Sequence, residues 1–149
     1  MVVHDKQDLY FLDTNIFLRT LIKEDEKTFA ECIALFKLLE DGQIQAYTNI
    51  LVIAEINFVL SSYYKFPKQK VATALESIVQ TPKLKIVDDL DAAWGISLFA
   101  KENIKFIDCL LASSEFLRNK KACVISYDSD FKRLDVKYHH PKDIIKNCR

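Results

Sequence analysis

Glycine and proline are scarce in this chain, with two of the first and three of the second in 149 residues. Without them there is no flexible linker, repeat or low-complexity stretch, so a single domain is expected over residues 1–149. The two glycines, Gly42 and Gly95, stand alone, which excludes a glycine-rich phosphate loop. No apolar run approaches the roughly 20 residues that a helical membrane span needs. Met1–Lys6 carries neither the basic region nor the apolar segment of a signal peptide. The expectation is a cytoplasmic protein with no membrane association. Cysteine is not rare, but Cys32, Cys109, Cys123 and Cys148 never form a CxxC pair and three lie in apolar surroundings. They read as reduced core residues, not as zinc ligands or a disulfide framework. Net charge is also absent, 21 basic residues against 21 acidic, so the overall field does not announce a nucleic-acid binder.

The distribution of charge says more than its sum. Residues 1–64 hold 5 basic and 10 acidic residues, a balance of −5, whereas residues 103–149 hold 10 and 6, a balance of +4. Part of the excess is clustered, as Arg118, Lys120 and Lys121, then Lys132 and Arg133, then Lys137 and Lys142. Such clusters near an acidic pocket can hold a phosphate backbone; an ordinary solvated surface reads the same way. The three histidines, His4, His139 and His140, fall near the N-terminus or in a late polar segment and are read as surface residues.

Hydrophobic periodicity alternates between strand and helix. Leu9–Leu12, Gln45–Tyr47, Leu84–Val87 and Ala122–Ser126 read as strands. Helices are expected over Lys27–Leu39 with Gly42 as its stop, from a Thr48 or Asn49 cap to about Tyr64, over Lys68–Val79 behind Pro67, and from Asp88 or Asp89 to about Asn103. A last long helix holds Asp108 and runs to about Asn119. Val52, Ile56, Val59, Leu60 and Tyr63 form one stripe, and Trp94 and the phenylalanines are read as core. Alternating elements of this kind imply a three-layer α/β/α sandwich with a mainly parallel central sheet.

Four acids interrupt the apolar runs. Asp13 follows Leu9–Leu12, Glu55 sits inside Ile50–Ile56, Asp108 stands between Ile107 and Cys109, and Asp128 follows Ala122–Ser126. Ionised carboxylates beside a core are costly unless hydrogen-bonded, paired or metal-bound. Sites in open α/β sheets form beyond the carboxyl ends of the strands, where all four can meet. Converging carboxylates with no cationic neighbour in sequence fit a hard divalent cation. Each has a plainer explanation taken singly: Asp13-Thr14-Asn15 and Asp108 as helix caps, Asp128-Ser129-Asp130 as a turn, Ser126 as a structural hydroxyl. Only Glu55 has no such alternative, because neither cap nor turn explains a glutamate within that apolar helix.

Four segments together resemble the PIN domain family, in particular its toxin-type VapC ribonucleases: Leu12-Asp13-Thr14-Asn15-Ile16, Ile53-Ala54-Glu55-Ile56, Phe106 to Ala112 around Asp108, and Ser126 to Leu134. The closing Pro141-Lys142-Asp143-Ile144-Ile145 is similar as well, so the resemblance spans nearly the whole chain. It implies a metal-dependent endoribonuclease holding Mg²⁺ or Mn²⁺ through Asp13, Glu55, Asp108 and Asp128, with Asp130 auxiliary and Thr14, Asn15 and Ser126 orienting the carboxylates. An RNA substrate, a small antitoxin and a homodimer are implied partners. Thr48-Asn49-Ile50 stands where many relatives carry a proline, and Cys109 where a small residue is frequent. Three other readings stay open: a PIN-like RNA-processing nuclease without an antitoxin, a receiver-like phosphoacceptor or phosphatase, and a silent scaffold. Asn15 counts against the phosphatase, which needs a second aspartate there, and the scaffold would have lost a core acid.

Overall fold

A computed structural model describes residues 8–148 of the chain; His4 and the Met1–Lys6 segment lie outside them. Five strands, β1 (Leu9–Leu12), β2 (Gln45–Thr48), β3 (Leu84–Ile86), β4 (Ala122–Ile125) and β5 (Tyr138–His139), form one sheet in the order β3-β2-β1-β4-β5. Every pairing is parallel, with Leu9 opposite both Gln45 and Ala122. All four residues of β4 and the last three of β1 are buried, as strands covered on both faces must be. The sandwich is completed by helices α1 (Thr14–Leu21), α2 (Glu26–Glu40), α3 (Ile50–Phe58), α4 (Lys68–Val79), α5 (Ala92–Lys101), α6 (Phe106–Ala112), α7 (Glu115–Arg118) and α8 (Pro141–Asn147). Helices α1 to α4 pack among themselves, with α8 against α2, while α5 packs on α6. The chain travels outward from β1 through β2 to β3 and then returns to β4, so its direction reverses between β1 and β4. That switch point is where a doubly wound sheet opens a crevice. A receiver sheet runs 2-1-3-4-5, and the observed order sets that alternative aside.

Three departures from the periodicity have physical causes. Helix α3 continues into a π-helical turn, Val59–Tyr63, whose wider winding shifts the helical face by part of a turn; Leu60 stays buried but Tyr63 turns outward. The expected helix through Asp108 breaks into α6 and α7 at Ser113-Ser114. There the Ser113 hydroxyl donates to the Leu110 carbonyl at 2.6 Å and the Ser114 hydroxyl to Asp89 Oδ2 at 2.6 Å, competing with the helical ladder. Asp89 also accepts from the Phe116 amide at 3.2 Å, which leaves Asp91 to cap α5 by accepting from the Trp94 amide at 3.0 Å. Finally, Trp94, Phe58, Phe99 and Phe106 are substantially exposed, and so is Ile33, because the buried face of α2 is Cys32, Leu35 and Leu39. The four cysteines are free, three of them buried. Among the described residues no helix is long and apolar enough to cross a membrane.

Gly95 sets the distance between α5 and α6. A Cβ there would meet Leu110 Cδ2 at 2.8 Å and Leu110 Cα at 3.1 Å. Gly95→Ala should therefore destabilise the fold by on the order of 1–2 kcal/mol in urea denaturation, the backbone clash outweighing the gain in helix propensity; a variant as stable as the parent would show the helices free to separate.

Candidate active site

The switch point is closed by two residues that follow strands. Asp13 follows β1, and its amide donates to the Ile125 carbonyl at the end of β4, 3.2 Å away. As the N-cap of α1 it accepts from the Thr14 amide at 2.8 Å through Oδ1. Its other oxygen, Oδ2, accepts from the Ser126 hydroxyl at 2.6 Å. Ser126 is fully buried and also accepts from Asn15 Nδ2 at 3.0 Å and from the Asp128 amide at 2.9 Å. One donated and two accepted bonds exhaust a hydroxyl, so the Ser126 proton is committed to Asp13.

Thr14 joins the third element. Its hydroxyl donates to Glu55 Oε2 at 2.7 Å, drawing the glutamate of α3 to the start of α1. Helix α3 is itself begun by Asn49, whose side chain accepts from the Val52 amide at 3.0 Å. Asp108, on the first turn of α6, is 6% exposed and its Oδ2 is buried with no hydrogen-bond partner among the described residues. Asp128 accepts from the Asp130 amide at 2.9 Å and so begins a 3₁₀ helix, Ser129–Leu134. The structure thus brings Asp13, Glu55, Asp108 and Asp128 within mutual electrostatic reach, with Thr14, Asn15 and Ser126 bonded among them. Asp130 lies in the first turn of the 3₁₀ helix, where its amide makes the bond to Asp128.

Two tyrosines that the sequence does not single out hold this arrangement. Tyr138 Oη donates to the Ser126 carbonyl at 2.9 Å. Tyr127, between Ser126 and Asp128, gives its amide to Asn15 Oδ1 at 3.3 Å and its hydroxyl to Glu31 at 2.9 Å. An aromatic inside a polar string was the available signal. Three of the clustered lysines, in contrast, lie away from the acids: Lys120, Lys121 and Lys137 line a concavity with Asp8, Leu9 and Ala122, at the opposite ends of the strands. His140 caps α8, accepting from the Lys142 amide at 3.2 Å, and His139 lies in β5.

The sequence matches the PIN domain over residues 10–137. The chain belongs to the PIN domain family. Its fold is similar to that of VapBC2 from Rickettsia felis, solved bound to a DNA fragment from their promoter (20% identity, 89% of this chain and 98% of that one, TM-score 0.63). It is similar too to PAE2754 from Pyrobaculum aerophilum (12% identity, 95% of each chain, TM-score 0.66). VapC20 from Mycobacterium tuberculosis, a toxin cleaving the Sarcin-Ricin loop, is a third likeness (14% identity, 85% of this chain and 95% of that one, TM-score 0.61). At these identities the likeness is one of fold. No curated protein sequence matches. PIN domains as a family are nucleases that generally use divalent metal ions.

In this PIN domain two of the acids are held above the ordinary carboxylate range. Burial pushes Asp13 up to about 6, against the lowering effect of its bonds from Ser126 and Thr14. Burial, then repulsion from Asp13, Asp128 and Glu55, lifts Asp108 to about 7, with Lys105 opposing the rise. Among the described residues no three His, Cys, Asp or Glu side chains form a ready-made metal cage. A hard ion that keeps several waters does not require one, and the unpartnered Asp108 oxygen beside like charges fits such an ion.

An aspartate titrates near 4 in an unfolded chain, so a raised native value stabilises the protein only below that pH. The contribution is lost as pH rises through about 6 for Asp13 and about 7 for Asp108. In chelator, Asp108→Asn should be more stable than the parent by on the order of 2–4 kcal/mol at neutral pH, the gap opening between about pH 4 and about pH 7. Thermal midpoints of the two proteins across that range measure it; a constant or reversed gap would contradict the buried-charge account.

Proposed function

We propose that this PIN domain is a divalent-metal-dependent endoribonuclease, the toxin of a type II toxin–antitoxin pair. The observation carrying this reading is the orphaned Oδ2 of Asp108, buried in the field of Asp13, Glu55 and Asp128. Uncompensated negative charge at the switch point of the sheet is what a Mg²⁺ or Mn²⁺ ion would neutralise. Asp13, Glu55 and Asp108 are the principal ligands in this reading, Asp128 the fourth acid and Asp130 an auxiliary one. Family membership supports the nuclease chemistry, and the likeness to VapBC2 and VapC20 supports the toxin role.

Hydrolysis forms a bond from a water oxygen to phosphorus and breaks the bond from phosphorus to the 3′ oxygen. The water loses a proton, the 3′ oxygen gains one, and the products are a 5′-phosphate and a 3′-hydroxyl. When bound, the metal supplies charge neutralisation at the phosphate and acidifies a water. The chain's own contribution is preorganisation. Ser126 holds Asp13, Thr14 holds Glu55, and Asn15 fixes Ser126, so the carboxylates need not reorganise during the reaction. The substrate is single-stranded or loop RNA, whose exposed backbone can enter a cleft, and the compartment is the cytoplasm. Asp13→Asn and Asp108→Asn should each lower cleavage of such RNA by roughly a thousandfold or more, with the fold retained; activity that survives both substitutions or excess chelator rules the mechanism out.

Apolar side chains left outside support the partners. Phe58, at the end of the glutamate helix α3, and Tyr63, in the π turn after it, are 66% and 76% exposed, and Trp94 and Phe99 are about half exposed on α5. Surface of this kind marks association; the reading assigns it to a symmetric homodimer and an antitoxin segment. Light scattering at tens of micromolar should give twice the monomer mass, and a strictly monomeric mass would remove the dimer while leaving the nuclease reading in place.

A further inference from the structure

An RNA phosphate approaching four carboxylates carries their sign, and a metal held by them would offset that repulsion at the scissile phosphate only. Something must draw in the neighbouring backbone. Several basic residues of the last third of the chain are engaged in other contacts. Arg118 pairs with Asp91 at 3.6 Å, Arg133 with Glu102 at 3.7 Å and Lys120 with the Asp135 carboxylate at 3.1 Å. Lys132 lies 5.5 Å over the Tyr138 ring, and Lys121 and Lys137 are at the far strand ends.

Lys105 is placed differently. It is exposed, forms the N-cap of α6 without a side-chain capping bond, and makes no ion pair among the described residues. Lysine is a poor choice there: it cannot accept from the first amides, and its charge faces the positive pole of the helix. A local rule broken with nothing in the fold to offset it points to a functional demand. Three residues on, one helical turn away, is Asp108, so the two share a face. The other side of α6 is taken by α5, where Phe106 meets the Phe99 ring at 5.2 Å and Leu110 backs onto Gly95. Asp108 is 6% exposed on the first turn of α6, and Lys105 is exposed at the position that opens that turn. Its charge reaches that carboxylate.

We propose that Lys105 is a substrate-binding residue whose ammonium contacts an RNA backbone phosphate next to the scissile one and so sets the strand against Asp108. The proposal rests on the nuclease reading above. A lysine meets phosphate as a point charge, so the contact adds affinity and register without reading sequence. Removing it leaves the fold intact, since a poor cap is lost.

Steady-state cleavage of a fluorescent single-stranded oligoribonucleotide in Mg²⁺, at KCl from about 50 to about 200 mM, tests this with the parent, Lys105→Ala, Lys105→Gln and Lys105→Arg. Expected for the alanine and glutamine variants are a KM raised about tenfold, a kcat within about threefold, and a log–log salt slope of kcat/KM shallower by about 0.7, one single-strand phosphate contact. Lys105→Arg should keep the parent's KM and slope. Neutral variants with the parent's KM and salt slope overturn the assignment, as does a loss confined to kcat. A parent that cleaves RNA beside unaffected neutral variants removes only Lys105; a parent that cleaves no RNA removes the nuclease reading and this inference together.

Discussion

The hydroxyl of Ser126 is the bond on which the rest of the site depends. It links the residue after β4 to the side chain that succeeds β1, across the switch point itself. Because it donates to Asp13 and accepts from Asn15 and the Asp128 amide, its position fixes three chain segments at once. A methyl in its place would leave a carboxylate oxygen, an amide nitrogen and a backbone amide short of partners, the first buried and the other two partly buried. Thr14 extends the same logic to Glu55. The acids are therefore held by neutral hydroxyls and amides, groups that orient charge without cancelling it.

That choice explains why the site is electrostatically expensive. An arginine or lysine among the acids would relieve their repulsion, and among the described residues none is bonded there. Asp108 is the clearest case, lifted to about 7 with one oxygen unpartnered. Functional sites are where such strain is tolerated, and the surrounding core supplies the stability: β4 buried along its length and β1 over its last three residues, Phe11 against Tyr47 at 5.3 Å, and Tyr47 against Phe116 at 5.5 Å.

Much of this was legible in the chain because the signals were local. Leu9–Leu12 and Lys68–Val79 announce themselves by composition and by flanking Asp13, Pro67 and Pro82, and the structure keeps their bounds. Glu55 stood out because a charge inside an apolar helix has no local explanation. What could not be read depends on residues distant in sequence. The break at Ser113-Ser114 needs Asp89, 25 positions earlier in the case of Ser114. The outward turn of Tyr63 needs a π turn that no residue type signals. Trp94 looked like core because hydrophobicity does not say which side of a helix lacks a neighbour. Ser126 read as an ordinary strand-end hydroxyl, since its importance exists only once β1 and β4 are known to be adjacent.

The topology also dictates when the site can exist. Asp13 and Ser126 are 113 residues apart, and β1 cannot complete its pairing until β4 has been made. A chain emerging from the ribosome first builds β1, β2 and β3 with their helices, a half-sheet whose exposed β1 edge waits for its partner. Only when β4 and the segment after it are out do Ser126 and Asp128 close the cleft. Assembly of the carboxylate cluster is thereby tied to the synthesis of β4 and the residues just after it: a fragment that stops before β4 carries three of the four acids and lacks the hydroxyl that aligns Asp13.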